Sequence, residues 1–317
     1  PSEKKEPSEK KEPSEKKEPS EKKEPSEKKE TDSKVDSYLD YLYPRIEDDE
    51  FNLKLAQHKE LYDNQYDGYI GSIKEEAELI CKADFELLPH QNFVKNFMSF
   101  NTPYNSLLLY HGLGSGKTCS AIGISEEMRK YMKQLGQRKS IIIVASPNVQ
   151  DNFKSQLFNP NKLKFEGGLW SMNTCVGNSL LEEVNPTTHK DLSEQYITRE
   201  IKMLISQYYT FMGYKQFANY INSITTVTMS GLNVKQKHKL RMKKMKELFS
   251  NRLIIIDEVH NLRLTNDNNE SNLKSAEILM EMVKHSDNMK LLLLSATPMY
   301  NSYKEIVWLT NLMNIND

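Results

Sequence analysis

The second two-thirds of the chain alternates short apolar runs with longer stretches in which apolar residues recur at helical spacing. Continuous apolar runs of four or five residues are typical of strands buried on both faces of a parallel sheet. The predicted core strands are residues 107–110, 141–145, 253–256 and 291–294. The predicted helices are residues 118–131, 192–209, 236–249, 271–284 and 303–313. The pattern therefore predicts an α/β fold with a parallel sheet covered by helices on both faces.

The remaining segments predict the domain organisation. Residues 1–30 are five copies of PSEKKE, with no apolar side chain and a proline every six residues, so we expect a disordered tail. Residues 31–85 are aromatic and acidic and predict an accessory segment of short helices. Residues 86–317 form the predicted sheet domain, with a helical insertion at about 158–250 that carries one strand at 225–230. A first residue other than Met indicates either a removed initiator or a piece of a longer chain.

A glycine-rich string, HGLGSGKT at residues 111–118, lies between a predicted strand and a predicted helix. Glycines let the backbone turn tightly, so that successive N–H groups point at phosphate oxygens. Lys117 is placed to reach the β- and γ-phosphates, and the Thr118 hydroxyl to ligate Mg²⁺. The residues predicted to bind ATP here are Gly112, Gly114, Ser115, Gly116, Lys117 and Thr118. His111 stands where the usual pattern has Gly or Ala, and a chance glycine-rich turn is the alternative interpretation.

An acidic string, DEVH at residues 257–260, follows another predicted strand. Ligands of open α/β sheets bind at the carboxyl ends of the strands. We therefore expect Asp257 to hold Mg²⁺ together with Thr118, and Glu258 to orient and deprotonate the attacking water. Lys117, Asp257 and Glu258 are thus the predicted catalytic residues. The alternative is a solvated acidic turn, which the glycine-rich string disfavours.

A third string, SAT at residues 295–297, closes the predicted strand 291–294. Ser295 and Thr297 carry small hydroxyl groups that can hydrogen-bond to the acidic string and report the loss of the γ-phosphate. His260 of the acidic string is assigned to the same coupling role. Three such residues occur by chance in many proteins, so the prediction depends on the order in which the three strings follow one another.

Together the three strings resemble the first RecA-like domain of a superfamily 2 helicase or translocase. The resemblance covers roughly residues 41–313. More narrowly, LLLYHGLGSGKTCSAI, LLPHQNFVKNFMS and IIIDEVHNLR resemble the helicase-like ATPases of poxviruses and giant DNA viruses. That group includes the small subunit of the poxvirus early transcription factor and nucleoside triphosphatase I. The implied fold is a P-loop NTPase, and the implied ligands are ATP and Mg²⁺.

The resemblance also implies roles for two further positions. Gln91 matches the glutamine that reads adenine upstream of the P-loop, and the less favoured alternative is a polar residue that starts a helix. Ser146, Pro147 and Asn148 match the motif that touches the nucleic-acid backbone, and an ordinary strand-ending turn is the alternative.

Helicases of this kind bind ATP between two RecA-like domains, and the second supplies an arginine to the transition state. After Thr297 only 20 residues remain, whereas a domain needs about 100 to 200. The resemblance therefore predicts that the second RecA-like domain is absent, because the sequence is truncated or because another chain supplies it. Arg263 lies near the acidic string, but its spacing does not make it that arginine.

Composition and charge limit the expected mode of nucleic-acid binding, the compartment and the partners. The net charge is −1, which excludes binding of nucleic acid by bulk attraction but not by a local basic groove. A candidate groove is the run that comprises Lys235, Lys237, Lys239, Arg241, Lys243, Lys244 and Lys246, which more often forms a solvated helix face. Three cysteines, Cys81, Cys119 and Cys175, have no metal spacing and no even count for disulfides, which predicts a reducing compartment. No apolar stretch reaches the roughly 20 residues of a membrane span, so no membrane partner is expected.

We conclude from the sequence that the chain is a nucleic-acid-dependent ATPase that moves on DNA or RNA in viral transcription. Its expected partners are viral RNA polymerase or transcription factor subunits, in a viral factory or virion. One rival is a P-loop kinase or GTPase, which needs an acceptor site or an Asn-Lys-x-Asp string; neither is visible. A second rival is a non-catalytic adaptor that keeps the ATP-binding fold, or a fragment that needs a second chain.

Overall fold

The computed structural model describes residues 42–65, 68, 71–82, 86–112, 114–137, 139–186, 192–227, 231–262, 270–299 and 303–317. All elements below belong to one compact unit, Tyr43–Asp317. The PSEKKE repeats and Arg263 lie outside the described residues, as does part of the predicted accessory segment.

The chain forms helices and strands in an alternating order. The helices are α1 Phe51–Ala56, α2 Lys59–Tyr62, α3 Ile73–Lys82, α4 Pro89–Phe97, α5 Lys117–Gln134, α6 Pro147–Leu157, α7 Ser179–Val184, α8 Glu194–Tyr208, α9 Tyr214–Thr225, α10 Val234–Phe249, α11 Glu270–Lys284 and α12 Tyr303–Asn316. The strands are β1 Ser106–Tyr110, β2 Ile141–Val144, β3 Leu163–Glu166, β4 Leu169–Met172, β5 Tyr209–Met212, β6 Leu253–Ile256 and β7 Lys290–Ser295. Short 3₁₀ helices cover Pro160–Lys162 and Val259–Leu262.

Five strands form one parallel sheet in the order β1-β7-β6-β2-β5. The four strands predicted from apolar runs are β1, β2, β6 and β7, and each lies within one residue of the predicted bounds. All strands point the same way, so the loops that follow β1, β2, β5, β6 and β7 meet at one edge of the sheet, the carboxyl edge. The predicted α/β fold with a RecA-like parallel sheet is confirmed.

Helices cover both faces of this sheet because alternate strand residues point to opposite sides. On one face, strand residues such as Ile254 and Ile256 pack with α9, α10, α11 and α12. On the other, Ile255 and its neighbours pack with α4, α5 and α6. The buried runs are apolar at every position because neither face meets water, which is why they were readable from sequence.

The region predicted as an insertion has a small core of its own and also contributes to the sheet. The antiparallel pair β3–β4 packs with α7 and α8 around Leu180, Ile197 and Ile201, which are fully buried. Strand β5 then returns to the main sheet beside β2. The predicted helix 192–209 therefore ends one residue early, at Tyr208, where β5 begins.

The strand predicted at residues 225–230 is wrong over the residues that the structure describes, 225–227. Thr225 is the last residue of helix α9, residues 226 and 227 have no regular structure, and 228–230 lie outside the described residues. The buried hydroxyl of Thr225 donates a hydrogen bond to the carbonyl of Ile221 at 2.7 Å. This bond inside the helix accommodates a β-branched residue that local propensity assigns to a strand.

The segment before α4 packs on the sheet domain through aromatic residues. Leu55 of α1 and Leu61 of α2 are buried against Tyr104, which stacks on Phe97 with 4.6 Å between the ring centroids. The Tyr104 hydroxyl donates to the carbonyl of Pro44 at 2.8 Å. These contacts tie the two short helices to the loop that leads into β1.

The expectation of no disulfide is wrong. Cys119, in the first turn of α5, is joined to Cys175, with their Cα atoms 5.2 Å apart. The loop that carries Cys175 is held beside α6 by a hydrogen bond from its backbone N–H to the carbonyl of Gln156. Three cysteines still allow two of them to form one disulfide. The two partners are 56 residues apart in sequence, so only the folded structure shows that they lie close together.

Candidate functional site

The glycine-rich loop connects β1 to α5 at the carboxyl edge of the sheet. Gly114 and Gly116 have φ values of 81° and 80°, in the left-handed region that glycine adopts without strain. A Cβ atom added at Gly112 or Gly114 would meet no atom within 4 Å, so the loop borders open space. The Ser115 hydroxyl donates to the carbonyl of Gly112 at 2.8 Å and closes the turn.

Lys117 begins α5 and reaches back over this loop. Its ammonium group donates to the carbonyl of His111 at 2.9 Å. The imidazole of His111 is half-buried, and its Nδ1 has no hydrogen-bond partner among the residues that the structure describes. Burial lowers the pKa of His111, and the nearby His90 and Lys117 lower it further. The lowered pKa favours the neutral form of His111, so Lys117 supplies the positive charge beside the loop.

Gln91 lies beneath the loop rather than in open space, with 4% of its surface exposed. Its amide oxygen accepts from the backbone N–H of Leu88 at 2.9 Å, and its amide nitrogen donates to the carbonyl of Gly116 at 3.3 Å. On the same helix, His90 Nε2 lies 3.2 Å from the carbonyl of Ser115. Helix α4 therefore holds the glycine-rich loop through two side chains. The assignment of Gln91 to adenine stays a prediction.

Asp257 follows β6 and is buried, with 6% of its surface exposed. Its carboxylate accepts the backbone N–H of Glu258 at 2.8 Å. Burial raises the pKa of Asp257 to about 6, the charge of Glu258 adds to the rise, and Lys117 opposes it. The charge of Lys117 reaches Asp257, so the glycine-rich and acidic strings lie at the same edge of the sheet.

The acidic string and the SAT string are joined by a chain of side-chain contacts. The carboxylate of Glu258 lies 3.3 Å from His260 Nδ1, which lies 3.2 Å from the Ser295 hydroxyl. That same hydroxyl oxygen accepts the backbone N–H of Thr297 at 3.1 Å. Glu258 itself has a φ of 45°, an uncommon value for a residue with a side chain that often marks functional sites. The residues predicted to couple hydrolysis to motion are therefore contiguous.

Ser146, Pro147 and Asn148 lie at the same edge, after β2. Ser146 is the N-cap residue of α6, and Pro147 occupies its first turn, where a missing N–H does no harm. Pro147 and Asn148 are exposed. The turn has an ordinary structural role in starting a helix, and its side chains face solvent beside the strands that carry the acidic string.

Comparisons with known proteins identify the family. The family model described as the SNF2-related domain matches residues 89–317, which is more than half of the chain. The chain belongs to the SNF2-related domain family. This family lies within the superfamily 2 helicases, so that part of the resemblance is confirmed.

Viral proteins resemble this SNF2-related domain. A protein of Invertebrate iridescent virus 3 named as a helicase is 28% identical over 238 residues, which cover 72% of this chain and 20% of that protein. A protein of Acanthamoeba polyphaga mimivirus named as an ATP-dependent RNA helicase is 28% identical over 261 residues, 78% of this chain and 20% of that protein. Another mimivirus protein named as an ATP-dependent RNA helicase is 26% identical over 261 residues, which cover 80% of this chain and 37% of that protein. The chain thus spans between 20% and 37% of the length of these relatives.

Two residues of the SNF2-related domain that sequence reasoning missed touch the acidic string. The hydroxyl of Tyr214 donates to the carbonyl of Asp257 at 2.9 Å. The side-chain amide of Asn261 donates to the carbonyl of Glu258 at 3.0 Å and to the Tyr214 hydroxyl at 3.3 Å. Strand β5 ends at Met212, two residues before Tyr214, and assigning the start of this strand to a helix concealed the position of Tyr214 at the edge.

The basic run of the SNF2-related domain lies on α10, and half of it pairs within the protein. Arg241 contacts Glu281 at 2.8 Å, Lys246 contacts Asp287, and Lys244 donates to the carbonyl of Thr226 at 3.0 Å. Helix α10 ends just before β6 begins, so these residues lie toward the amino edge, away from the glycine-rich loop. The C-terminal half of the run therefore serves the fold.

The residues at the carboxyl edge of the SNF2-related domain fit a nucleoside triphosphate with Mg²⁺. The open glycine loop offers backbone N–H groups, Lys117 a cation, and Thr118 and Asp257 oxygen ligands. Magnesium is usually held by one or two carboxylates together with substrate phosphates. Within the part of the chain that the structure describes, no group of three or more His, Cys, Asp and Glu residues is placed to hold a metal by itself. No helix in that part is long and apolar enough to cross a membrane.

Proposed function

We propose that the chain is the ATP-binding lobe of a nucleic-acid-dependent ATPase that hydrolyses ATP to ADP and phosphate and moves on DNA or RNA. The observation that carries this proposal is the contact chain at the carboxyl edge, which runs from Glu258 through His260 to Ser295. A simple nucleotide-binding platform does not need this chain. Membership in the superfamily 2 helicases supports the same activity.

Each residue has a proposed part in the reaction. Lys117 exchanges the carbonyl of His111 for phosphate oxygens, because an ammonium group is held more strongly by an anion than by a neutral acceptor. Thr118 and Asp257 hold Mg²⁺, which neutralises charge that develops on the phosphates. Glu258 accepts a proton from the attacking water, whose oxygen bonds to the γ-phosphorus as the bond to the bridging oxygen of ADP breaks.

The same site is proposed to couple hydrolysis to movement. Loss of the γ-phosphate changes the charge beside Glu258, and His260 and Ser295 pass the change to the SAT string. Ser146, Pro147 and Asn148 are proposed to touch the nucleic-acid backbone. Gln91 is proposed to contact adenine with the N–H that it does not donate to Gly116.

The chain is proposed to work as part of a larger assembly. Its relatives are about two to four times as long as this chain, since the matched 261 and 238 residues are 37% and 20% of their lengths. A second RecA-like lobe is proposed to supply the arginine that stabilises the transition state. A role in viral transcription, with polymerase or transcription factor subunits as partners, is also proposed, and the viral sources of the relatives support the viral setting. We propose kinship with the poxvirus early transcription factor and nucleoside triphosphatase I group. The proposed location is the viral factory or virion.

Binding and hydrolysis of ATP by the full-length protein test the proposal. We expect Lys117→Ala to weaken binding of Mg²⁺–ATP by about tenfold or more, because the cation that neutralises phosphate charge is lost. Calorimetry measures the affinity, and phosphate release with and without single- or double-stranded oligonucleotides measures the activity. Lys202→Ala, at an exposed position on α8, is the matched control.

The outcome separates the proposal from the adaptor alternative. Nucleic-acid-stimulated hydrolysis that Lys117→Ala abolishes supports a motor. Binding of ATP without hydrolysis in the presence of any nucleic acid identifies a non-catalytic adaptor. Equal affinity of the parent protein and Lys117→Ala for ATP contradicts the site itself.

A further inference from the structure

Three loops of the carboxyl edge meet at one oxygen atom, the hydroxyl of Tyr214. It donates to the carbonyl of Asp257 at 2.9 Å and accepts the side-chain amide of Asn261 at 3.3 Å. The backbone of Ser146 also lies near it. The N–H of Ala145, the residue before Ser146, donates to the carbonyl of Met212 at 3.0 Å, two residues before Tyr214. These neighbours come from the loops after β6 and β2, while Tyr214 itself follows β5.

The bonds of this hydroxyl have a fixed direction. A carbonyl oxygen only accepts hydrogen bonds and an amide N–H only donates them, so the phenol is the donor to Asp257 and the acceptor from Asn261. The ring packs against the apolar core beneath α9, so the position of the oxygen follows the position of the loop after β5.

The partners of Tyr214 are the two ends of the proposed coupling. Ser146 opens the loop proposed to touch the nucleic-acid backbone. Asp257 and Glu258 are proposed to hold the metal and the water, and Asn261 binds the carbonyl of Glu258 at 3.0 Å. Because Glu258 has an uncommon φ of 45°, its side-chain direction depends on how its two peptide groups are held. The Tyr214 hydroxyl contacts one of those groups directly and the other through Asn261.

We propose that Tyr214 is a positioning residue through which nucleic acid bound at the loop after β2 sets the orientation of Glu258 and so accelerates hydrolysis. The inference rests on the proposed function. A shift of Ser146 on binding a phosphate backbone moves the phenol oxygen, and that movement changes the peptide groups on both sides of Glu258. The nucleotide itself touches neither Tyr214 nor Asn261 in this scheme, so affinity for ATP stays independent of them.

The test is Tyr214→Phe, which removes the oxygen and keeps the ring, in the full-length protein. We expect affinity for ATP within about twofold of the parent, a basal rate within about threefold, and a rate with saturating oligonucleotide that falls about tenfold or more. Tyr196→Phe, at an exposed position on α8, is the matched control and should leave all three values unchanged. Asn261→Ala should reduce the stimulated rate in the same way.

A double substitution distinguishes a shared path from two separate losses. If Tyr214 and Asn261 act on Glu258 together, Tyr214→Phe combined with Asn261→Ala should lower the stimulated rate no further than the worse single change. Stimulation of Tyr214→Phe equal to that of the parent overturns the inference while the proposed function stands. So does a Tyr214→Phe variant that loses stimulated rate, ATP affinity and thermal stability together, which identifies a merely structural residue. If the parent protein itself shows no stimulation by any nucleic acid, the proposed function fails and this inference fails with it.

Discussion

The two edges of the parallel sheet treat buried charge in opposite ways. At the amino edge, Lys290 is 4% exposed, and its ammonium group donates to the carbonyls of Thr102 and Tyr104 at 3.0 and 2.7 Å. At the carboxyl edge, Asp257 is 6% exposed, and its carboxylate accepts the N–H of the next residue. Burial lowers the pKa of Lys290 to about 8 and raises that of Asp257 to about 6.

The difference lies in what the charge binds. Lys290 uses its hydrogen bonds to fasten the loop before β1 to the start of β7, so its desolvation is offset by contacts that hold the fold together. Among the described residues, only the N–H of Glu258 donates a hydrogen bond to the Asp257 carboxylate, so its other lone pairs stay open. The buried charge at the amino edge thus stabilises the fold, whereas the buried charge at the carboxyl edge lowers stability and is kept for its proposed role as a ligand of Mg²⁺.

The largest expected effect lies at the carboxyl edge. Glu258→Gln keeps the shape of the side chain but cannot accept the proton of the attacking water, so turnover should fall by about 10² or more while affinity for ATP is retained. Phosphate release and calorimetry on the full-length protein measure the two quantities. Glu247→Gln, at an exposed position on α10, is the control. Turnover by Glu258→Gln at the parental rate would remove Glu258 from its role.

The next effect lies at the amino edge. Lys290→Met should lower the free energy of unfolding by about 2 to 4 kcal/mol, because the carbonyls of Thr102 and Tyr104 lose a buried charged donor. Affinity for ATP should stay unchanged, since Lys290 lies at the opposite end of β7 from Ser295. Urea unfolding measures the change, with Lys202→Met as an exposed control. Unaltered stability would show that this charge does not fasten the loop.

The smallest expected effect is a gain in stability, at the carboxyl edge. Asp257→Asn removes a buried charge, so the ligand-free protein should become more stable by about 1 to 3 kcal/mol at pH 7, since each pKa unit corresponds to about 1.4 kcal/mol. Binding of Mg²⁺–ATP should weaken, because the metal loses an anionic ligand. A ligand-free protein destabilised by this change would contradict the comparison of the two edges.

The pH dependence of stability provides a second measurement of the cost of the buried charge at the carboxyl edge. The pKa of Asp257 is about 6 in the folded state, against an ordinary value of 3.8, so the folded state binds the proton more tightly than the unfolded chain does. Stability contributed by this group is present below about pH 4 and is lost as pH rises through about 6. Urea unfolding between pH 4 and 7 should therefore show a decline in the parent protein that is smaller in Asp257→Asn.

Sequence alone located the parts of the site that follow directly from strand ends. Lys117, Asp257 and Ser295 were found because each string follows an apolar run that is buried in the sheet, and parallel strands bring their carboxyl ends to one edge. The contacts between the strings were not readable, since Glu258, His260 and Ser295 approach one another only in the folded sheet.

One physical reason explains why the sequence did not predict Tyr214 and Asn261 as residues of the site. Tyr214 and Asn261 act through backbone carbonyls, so no pattern of residue types marks them. The YTFM run of β5, followed by Gly213, is a strand signal that the helical periodicity before it obscured. Cys175 likewise owes its pairing to a tertiary contact that local sequence does not contain, whereas Thr225 is held by a bond within its own helix.

The contact between Gln91 and Gly116 restricts how this sequence can change over time. A Cβ atom at position 116 would run into the amide nitrogen of Gln91, and the φ of 80° disfavours any side chain there as well. A smaller residue at position 91 would relieve the collision but not the backbone strain. A second substitution at Gln91 can therefore rescue Gly116→Ala only in part. In a lineage that keeps this loop, we expect substitutions at positions 91 and 116 to depend on each other.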